Sequence, residues 1–346
     1  MNKARLLDLS FEDLLANLEE LHEPPFRASQ IWRAVFKDLV SSYADTTTLP
    51  KALRQRLASV LPWPEMAALK TLQSRDRYTT KLLLALDDAE TIETVVMRYT
   101  RRNTACISTQ VGCAMRCQFC ATGQSGFTRD LTTAEIVGQV LAAARLLHGE
   151  SEHLSNIVYM GMGEPFANYD ATLQSIRILN DPRGFSLGAR SFTISTVGIV
   201  PGIERLSREK LQVNLAVSLH TADDALRDRL VPVNRRYPVS DVIRACRAYV
   251  QATHRRVTFE VALIGGVNDS NSQAQEIVEA LRGLLCHVNI IPFNSIAGSA
   301  WRSSSDDRVS AFAHVIEAAG FPTTIRKSRG VDIQAACGQL RAEKQA

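Results

Sequence analysis

Apolar residues recur at helical spacing in three stretches near the start of the chain, Phe11 to Leu21, Ala28 to Leu39 and Ala52 to Leu61, and each predicts an amphipathic helix. Leu49-Pro50 breaks the pattern before the third, and Pro62 and Pro64 end the run. From Met66 to Met97 the period changes to alternation, with a turn at Arg75-Asp76 and strands over Thr80 to Leu86 and Thr91 to Met97. Beyond Thr104, strand-like runs at Ala105 to Ser108, Asn156 to Met160, Phe192 to Ser195, Val213 to Leu219, Val257 to Leu263 and Val288 to Pro292 alternate with helical stretches. That order predicts an α/β protein whose parallel sheet is a partial barrel of six βα units. The chain then divides into a helical module over 1–65, a β linker over 66–103, a core over 104–340 and a tail over 341–346.

The helix after the first barrel strand illustrates the reading. Thr132 and Glu135 form a capping box, and Leu131, Ile136, Val140, Leu141 and Leu147 keep one face apolar, so this helix packs on the sheet and carries no chemistry. In parallel αβ folds, ligands bind at the carboxyl ends of the strands, so the residues just after each strand are the ones to examine. Behind the second strand come Gly161-Met162-Gly163-Glu164-Pro165, whose glycines let backbone approach a ligand and whose Glu164 is an acceptor for a ligand ammonium. The third strand ends at Ser195, the fourth at Ser218-Leu219-His220 and the sixth at Asn294, polar groups converging on one opening. Taken singly, His220 caps a strand end and the serines satisfy local backbone; only the shared location argues for a site.

Composition narrows the class. The chain has 346 residues, 45% apolar and 22% charged, enough for a sizeable core, and its net charge of +4 is too mild to identify a nucleic-acid partner by itself. No run approaches the roughly 18 apolar residues that a membrane span needs. Seven cysteines, with no secretory leader pattern, argue for a reducing cytoplasm and for thiols used as ligands or in chemistry.

Three of them stand in Cys113-Ala114-Met115-Arg116-Cys117-Gln118-Phe119-Cys120, directly after the first barrel strand. This C-x3-C-x2-C loop suits three irons of a 4Fe-4S cluster, with the fourth iron left for a substrate that chelates it. The bland alternative is a structural zinc completed by a distant ligand such as Cys106 or Cys337. Cys246 and Cys286 read as packing residues.

The cysteine loop, Gly163-Glu164-Pro165 and the partial barrel together resemble the radical S-adenosylmethionine enzymes. More narrowly, Cys106-Ile107-Ser108-Thr109-Gln110-Val111-Gly112-Cys113, Met160 to Pro165, Ile291-Pro292-Phe293-Asn294 and Asp332 to Leu340 resemble the RlmN/Cfr family of RNA adenine methyltransferases, a similarity running from about Phe26 to Leu340. The resemblance implies a cluster on Cys113, Cys117 and Cys120, with S-adenosylmethionine held by Gly163, Glu164, Ser195, Ser218, Leu219, His220 and Asn294. It also implies that Cys337 is methylated by one S-adenosylmethionine and turned into a methylene radical through a second. The radical adds to adenine, and Cys106 attacks the Cys337 sulfur to release product as a disulfide bond forms. Glu93 corresponds to the family's proton acceptor.

Further implications concern partners. The family's substrates are adenine 2503 of 23S ribosomal RNA, before the ribosome is fully assembled, and adenine 37 of certain transfer RNAs, both methylated at carbon 2; a flavodoxin-type electron donor is implied as well. The resistance branch methylates carbon 8 of the ribosomal adenine, and local sequence at Gly163-Glu164-Pro165 and Gly126-Phe127-Thr128-Arg129 looks closer to the carbon 2 branch. A reading from another class is an RNA-binding protein with a metal cluster and no chemistry, which has no use for Cys106 or Cys337. Arg326, Lys327 and Arg329, ahead of the Cys337 loop, are the expected RNA contacts, whereas Arg101-Arg102, Arg235-Arg236 and Arg255-Arg256 read as solvated surface. Trp32 belongs to the expected RNA-docking module but reads individually as a core aromatic.

Overall fold

The structure is a computed structural model that describes residues 5–63 and 66–341, so Pro64 and the tail from 342 lie outside the described residues. Helices α1 (Phe11–Glu20), α2 (Phe26–Phe36) and α3 (Lys51–Val60) open the chain. Helix α2 begins two residues before the expected start, because Pro24 and Pro25 are tolerated ahead of the first turn, where no helical N–H partner is needed. Strands β1 (Ala68–Gln73), β2 (Thr79–Ala85), β3 (Thr91–Tyr99) and β4 (Arg102–Cys106) then pair antiparallel in order.

After β4 come β5 (Gln110–Gly112), the short helix α4 (Ala121–Gln124), β6 (Phe127–Asp130) and the long helix α5 (Thr133–Gly149). The remaining order is β7 (Asn156–Tyr159), α6 (Tyr169–Asn180), β8 (Phe192–Thr196), α7 (Val200–Arg208), β9 (Asn214–Ser218), α8 (Asp224–Leu230) and α9 (Val239–Thr253), then β10 (Val257–Leu263), α10 (Asn271–Leu281), β11 (Cys286–Pro292), α11 (Asp306–Ala318) and β12 (Thr323–Ile325). Strands β4, β7, β8, β9, β10, β11 and β12 are parallel neighbours, each joined through helices packed outside. The six βα units are therefore present, and a seventh strand of three residues closes the series; Thr323-Thr324-Ile325 is too short to carry an alternation signal.

The antiparallel strands extend the same sheet, since β3 pairs with β4, giving a ten-stranded order from β1 to β12. Edge strand β1 is largely exposed and carries Lys70, a charge that discourages pairing with another chain. From β12 the chain passes back across the open seam of the barrel towards β2 and β3. Asp332 accepts from Arg75 N at 2.9 Å and Gln334 O accepts from Lys81 Nζ at 3.2 Å. Arg341 N then donates to Glu93 Oε2 at 2.8 Å. Among the described residues no helix is long and apolar enough to cross a membrane.

Candidate active site at the carboxyl ends of the strands

The cysteine loop is held by a hairpin that local sequence did not announce. Strands β5 and β6 bracket it, and Cys113 N donates to Gly126 O at 2.7 Å. Gly112 at the corner has φ +75°, and a Cβ there would lie 2.0 Å from Gly126 O, so only glycine fits. Cys120 N donates to Cys117 O at 3.2 Å, while Gln118 N reaches Leu230 O at 3.0 Å and so docks the loop on the end of α8.

These constraints bring Cys113, Cys117 and Cys120 onto the wall of one cavity with Gly161, Gly163, Glu164, Ser195, Ser218, His220 and Asn294. Burial pushes the Cys113 thiol up to about 12 and the Cys117 thiol well above its ordinary value, each raised further by neighbouring cysteines and Glu164. Such thiols lose their protons when they ligate a metal. Among the described residues no group of three or more His, Cys, Asp or Glu is arranged to hold a single metal ion. The three sulfurs instead stand around a shared space, an all-thiol donor set that fits a polynuclear iron cluster with room beside it for a chelating ligand.

Glu164 is 2% exposed. Its Oε2 accepts from Val197 N at 2.8 Å and its Oε1 from Phe166 N at 3.0 Å, while burial raises the carboxyl to about 7. Gly163, with φ +102°, presses against Gln110, where a Cβ would meet side-chain carbon at 2.6 Å. His220 accepts from Ala262 N through Nδ1 at 3.0 Å and packs edge-on to Phe119 with centroids 4.5 Å apart. Burial and then the charge of Arg227 depress the imidazole to about 3, so the ring is neutral with its proton on Nε2. Leu219 differs from its neighbours: its side chain is fully buried in the core, it does not line the cavity, and its backbone is taken up within the protein, N–H by Glu260 O at 3.0 Å and C=O by Arg227 Nε at 3.0 Å.

Cys337 lines this cavity and also an adjoining cleft that contains Cys106, so one thiol stands on the wall between two spaces. The loop bearing it is tied down by Asn294 Nδ2 to Cys337 O at 3.1 Å, Ala121 N to Gly338 O at 2.7 Å and Thr122 Oγ1 to Leu340 O at 2.6 Å. Cys337 is exposed at its surface and Cys106 half-buried; burial of the Cys106 sulfur pushes that thiol up to about 12. The disulfide that the resemblance attaches to product release is not present: all seven cysteines are free, and the bonds that hold the Cys337 loop anchor it to Asn294 and α4. Glu93 is 4% exposed and stands off both cavities, paired with Lys81 at 2.7 Å and capped by Arg341 N at 2.8 Å.

Several residues here escaped the sequence reading. Arg227 is fully buried and donates to Val197 O (2.7 Å), Ser218 O (3.0 Å), Leu219 O (3.0 Å) and Asn234 Oδ1 (2.7 Å), tying together the ends of β8 and β9 that form the cavity wall. In sequence it is one charge among several on α8, indistinguishable from a solvated face. Glu260 lines the cavity, and here a signal existed: a carboxylate amid Val257, Phe259, Val261 and Leu263 is out of place in a parallel strand. Arg326 lies beside Glu260 at 4.0 Å and lines both spaces, so it faces inward at the thiols instead of outward alone.

Comparison with known proteins agrees with this geometry. Residues 107–280 match the radical SAM superfamily model, and residues 4–62 match the ribosomal RNA large subunit methyltransferase N-terminal domain. The chain is 49% identical to a probable dual-specificity RNA methyltransferase RlmN of Moorella thermoacetica, covering 97% of this chain and 96% of that one. It is 46% identical to the protein of the same description from Chloroflexus aurantiacus, over 98% and 93% of the two chains. A crystal structure of a radical SAM methyltransferase from Sphaerobacter thermophilus superimposes with TM-score 0.97 at 50% identity, over 98% of this chain and all of that one.

Proposed function

The chain belongs to the RlmN family of radical SAM RNA methyltransferases, and from that membership we propose that it methylates carbon 2 of adenine in RNA through a methylated Cys337. The observation that carries the reading is the position of Cys337 on the wall shared by the cysteine-loop cavity and the Cys106 cleft. A carbon held on that sulfur would lie between the space lined by the cysteine loop and the cleft lined by Cys106. When bound, the 4Fe-4S cluster and S-adenosylmethionine supply the methyl group and a 5′-deoxyadenosyl radical.

The chain's own residues take the other parts. Cys113, Cys117 and Cys120 would hold the cluster; Gly163, Glu164, Ser195, Ser218, His220 and Asn294 would hold S-adenosylmethionine, with Leu219 in the strand end behind them. Glu164 accepts from the ligand ammonium while its two backbone bonds fix its orientation. Addition to adenine joins RNA to Cys337. Cys106 gives up its proton and forms the S–S bond to Cys337 as the carbon–sulfur bond to the nucleotide breaks; the electron pair of that bond stays with the carbon, which takes a proton to become the methyl group, so the product leaves and the thiol pair is oxidised. Glu93, which in this structure is paired with Lys81 and bonded by Arg341 N, takes the carbon 2 proton by its correspondence to the family's proton acceptor.

The RNAs are 23S ribosomal RNA at adenine 2503 and transfer RNA at adenine 37, with residues 1–65 as the RNA-docking module, residues 66–103 as the linker and a flavodoxin-type electron donor in the cytoplasm. A base reached by this chemistry must be unpaired and out of its stack. Mass spectrometry of RNA modified by the reconstituted enzyme tests the position: carbon 2 methylation is expected, and methylation at carbon 8 alone overturns it. Cys106→Ala is expected to accumulate protein covalently attached to RNA through Cys337, seen as a shifted band on a denaturing gel, and normal turnover by that variant removes Cys106 from its role.

A further inference from the structure

The inner wall of the barrel is not packed. Closed αβ barrels fill their interiors with layers of branched apolar side chains, whereas the inward positions on the first halves of these strands are Asn156, Thr193, Asn214, Thr258 and His287. Their sequence neighbours Ile157, Phe192, Leu215, Phe259 and Val288 face the helices and are buried, while the inward residues remain half-exposed. The result is a polar chamber of about 810 Å³ on the amino-terminal side of the site.

Six cations line this chamber, Arg102, Arg255, Arg256, Arg326, Lys327 and Arg329; Arg326 lies 4.0 Å from Glu260, and among the described residues the other five make no salt bridge. Neutral groups position three of the five. Arg255 donates to Asn214 Oδ1 at 2.8 Å, Arg102 lies 4.7 Å from the Tyr99 ring centroid, and Arg329 lies 4.5 Å from the same centroid while donating to Arg98 O at 3.2 Å. Glu260 is the one acidic side chain on the wall, 4% exposed; its Oε1 accepts from Asn289 Nδ2 at 3.0 Å, and its Oε2, without a hydrogen bond, lies 4.0 Å from Arg326 Nη1. His287 Nδ1 is also unpartnered. Solvated surface arginines need no polar enclosure; five cations without a salt bridge around a chamber with open donors and acceptors mark a site for a polyanion that also carries hydroxyls. The chamber shares Tyr99, Met160 and Arg326 with the cleft of Cys106 and Cys337, so a strand lying in it reaches the thiols.

We infer that the chamber docks the backbone of the RNA substrate, with phosphates beside the target adenine on Arg102, Arg255, Arg256, Lys327 and Arg329, and riboses against the Asn and Thr wall. The inference rests on the RNA methyltransferase reading and adds to it where the RNA lies. The test uses the full chain and an unmodified transfer RNA anticodon stem–loop containing adenine 37. Neutralising Arg102, Arg255 and Arg256 together to Gln is expected to weaken binding about tenfold or more by fluorescence anisotropy and to reduce the slope of log affinity against log salt by roughly 2. The Arg→Lys triple variant is expected to recover most of the slope, and Arg236→Gln, outside the chamber, to bind as the parent does.

A second arm needs no variant. In the unsubstituted protein the RNA is expected to protect Arg102, Arg255 and Arg256 from phenylglyoxal, read by peptide mass spectrometry. Unchanged affinity and slope in the Gln variant, or no protection, overturns the inference, as does protection by inorganic tripolyphosphate where RNA gives none. Carbon 2 methylation without protection sinks this docking site alone, whereas protection without methylation sinks the proposed activity and leaves the site standing.

Discussion

Arg227 is the residue on which the cavity wall depends most directly. A guanidinium with no exposed surface, bonded to three backbone carbonyls and Asn234, replaces every water it lost, and removing it leaves those acceptors unpaired. Arg227→Met keeps the volume and discards the bonds, so a loss of about 3 kcal/mol in urea unfolding is expected. S-adenosylmethionine binding, measured by calorimetry, should fall with it; a variant as stable as the parent would show that the strand ends hold themselves. Cys106 offers a second check. Burial raises its thiol to about 12, and only the thiolate alkylates, so iodoacetamide should label it slowly at pH 8 and about tenfold faster for each added pH unit below 12. Glu164 was legible because it follows a strand and two glycines, whereas Arg227 was not, since a lone charge on a short helix looks the same whether its partners are carbonyls or water.

Helix α5 shows what a single element reveals locally. The Thr132–Glu135 capping box is present, with Thr132 N donating to Glu135 Oε2 at 2.8 Å, but burial is not confined to the apolar face: twelve residues are buried, Thr133, Glu135 and Gln139 among them, because the first half of the helix is enclosed on all sides. Thr132→Ala should cost about 1 kcal/mol in denaturant unfolding. Tertiary structure adds a second use for Glu135, which also receives Arg129 at 2.9 Å from β6 and so anchors the hairpin that holds the cysteine loop. The hairpin itself was illegible: β5 has three residues, and its register depends on Gly112 meeting Gly126 across a loop. The segment carrying Cys337 is similarly invisible to periodicity, being held by scattered side-chain bonds. Asn294→Ala removes one of them, and hydrogen exchange over residues 336–341 is expected to quicken in that variant. Exchange no faster than in the parent would mean that Thr122 and Ala121 suffice.

At the scale of the molecule, the amino-terminal helices are not a separate body. Leu14, Trp32 and Val35 share one core with Ile136 and Val140 of α5 and with the barrel strands. Trp32 is 1% exposed, against Phe11 and Phe36, so it is a core aromatic and not a surface contact. Polar ties cross the same boundary: Asp8 Oδ1 accepts from Ala134 N at 2.8 Å, and Arg145 donates to Leu39 O and Val40 O at 2.8 and 2.7 Å. Calorimetry should therefore find one transition, with van't Hoff and calorimetric enthalpies agreeing; two resolved transitions would contradict the shared core. What the sequence determined alone was whatever depends on near neighbours: the period of each strand and helix, the capping box, and the C-x3-C-x2-C spacing. Only the folded chain decided which distant groups meet. Parallel strands lie side by side in register, so Cys106 at the end of β4 and Cys337 beyond β12 share one cleft, and Arg102, Arg255 and Lys327 share one chamber. A charge or thiol takes its role from its partners, and those partners come from across the barrel.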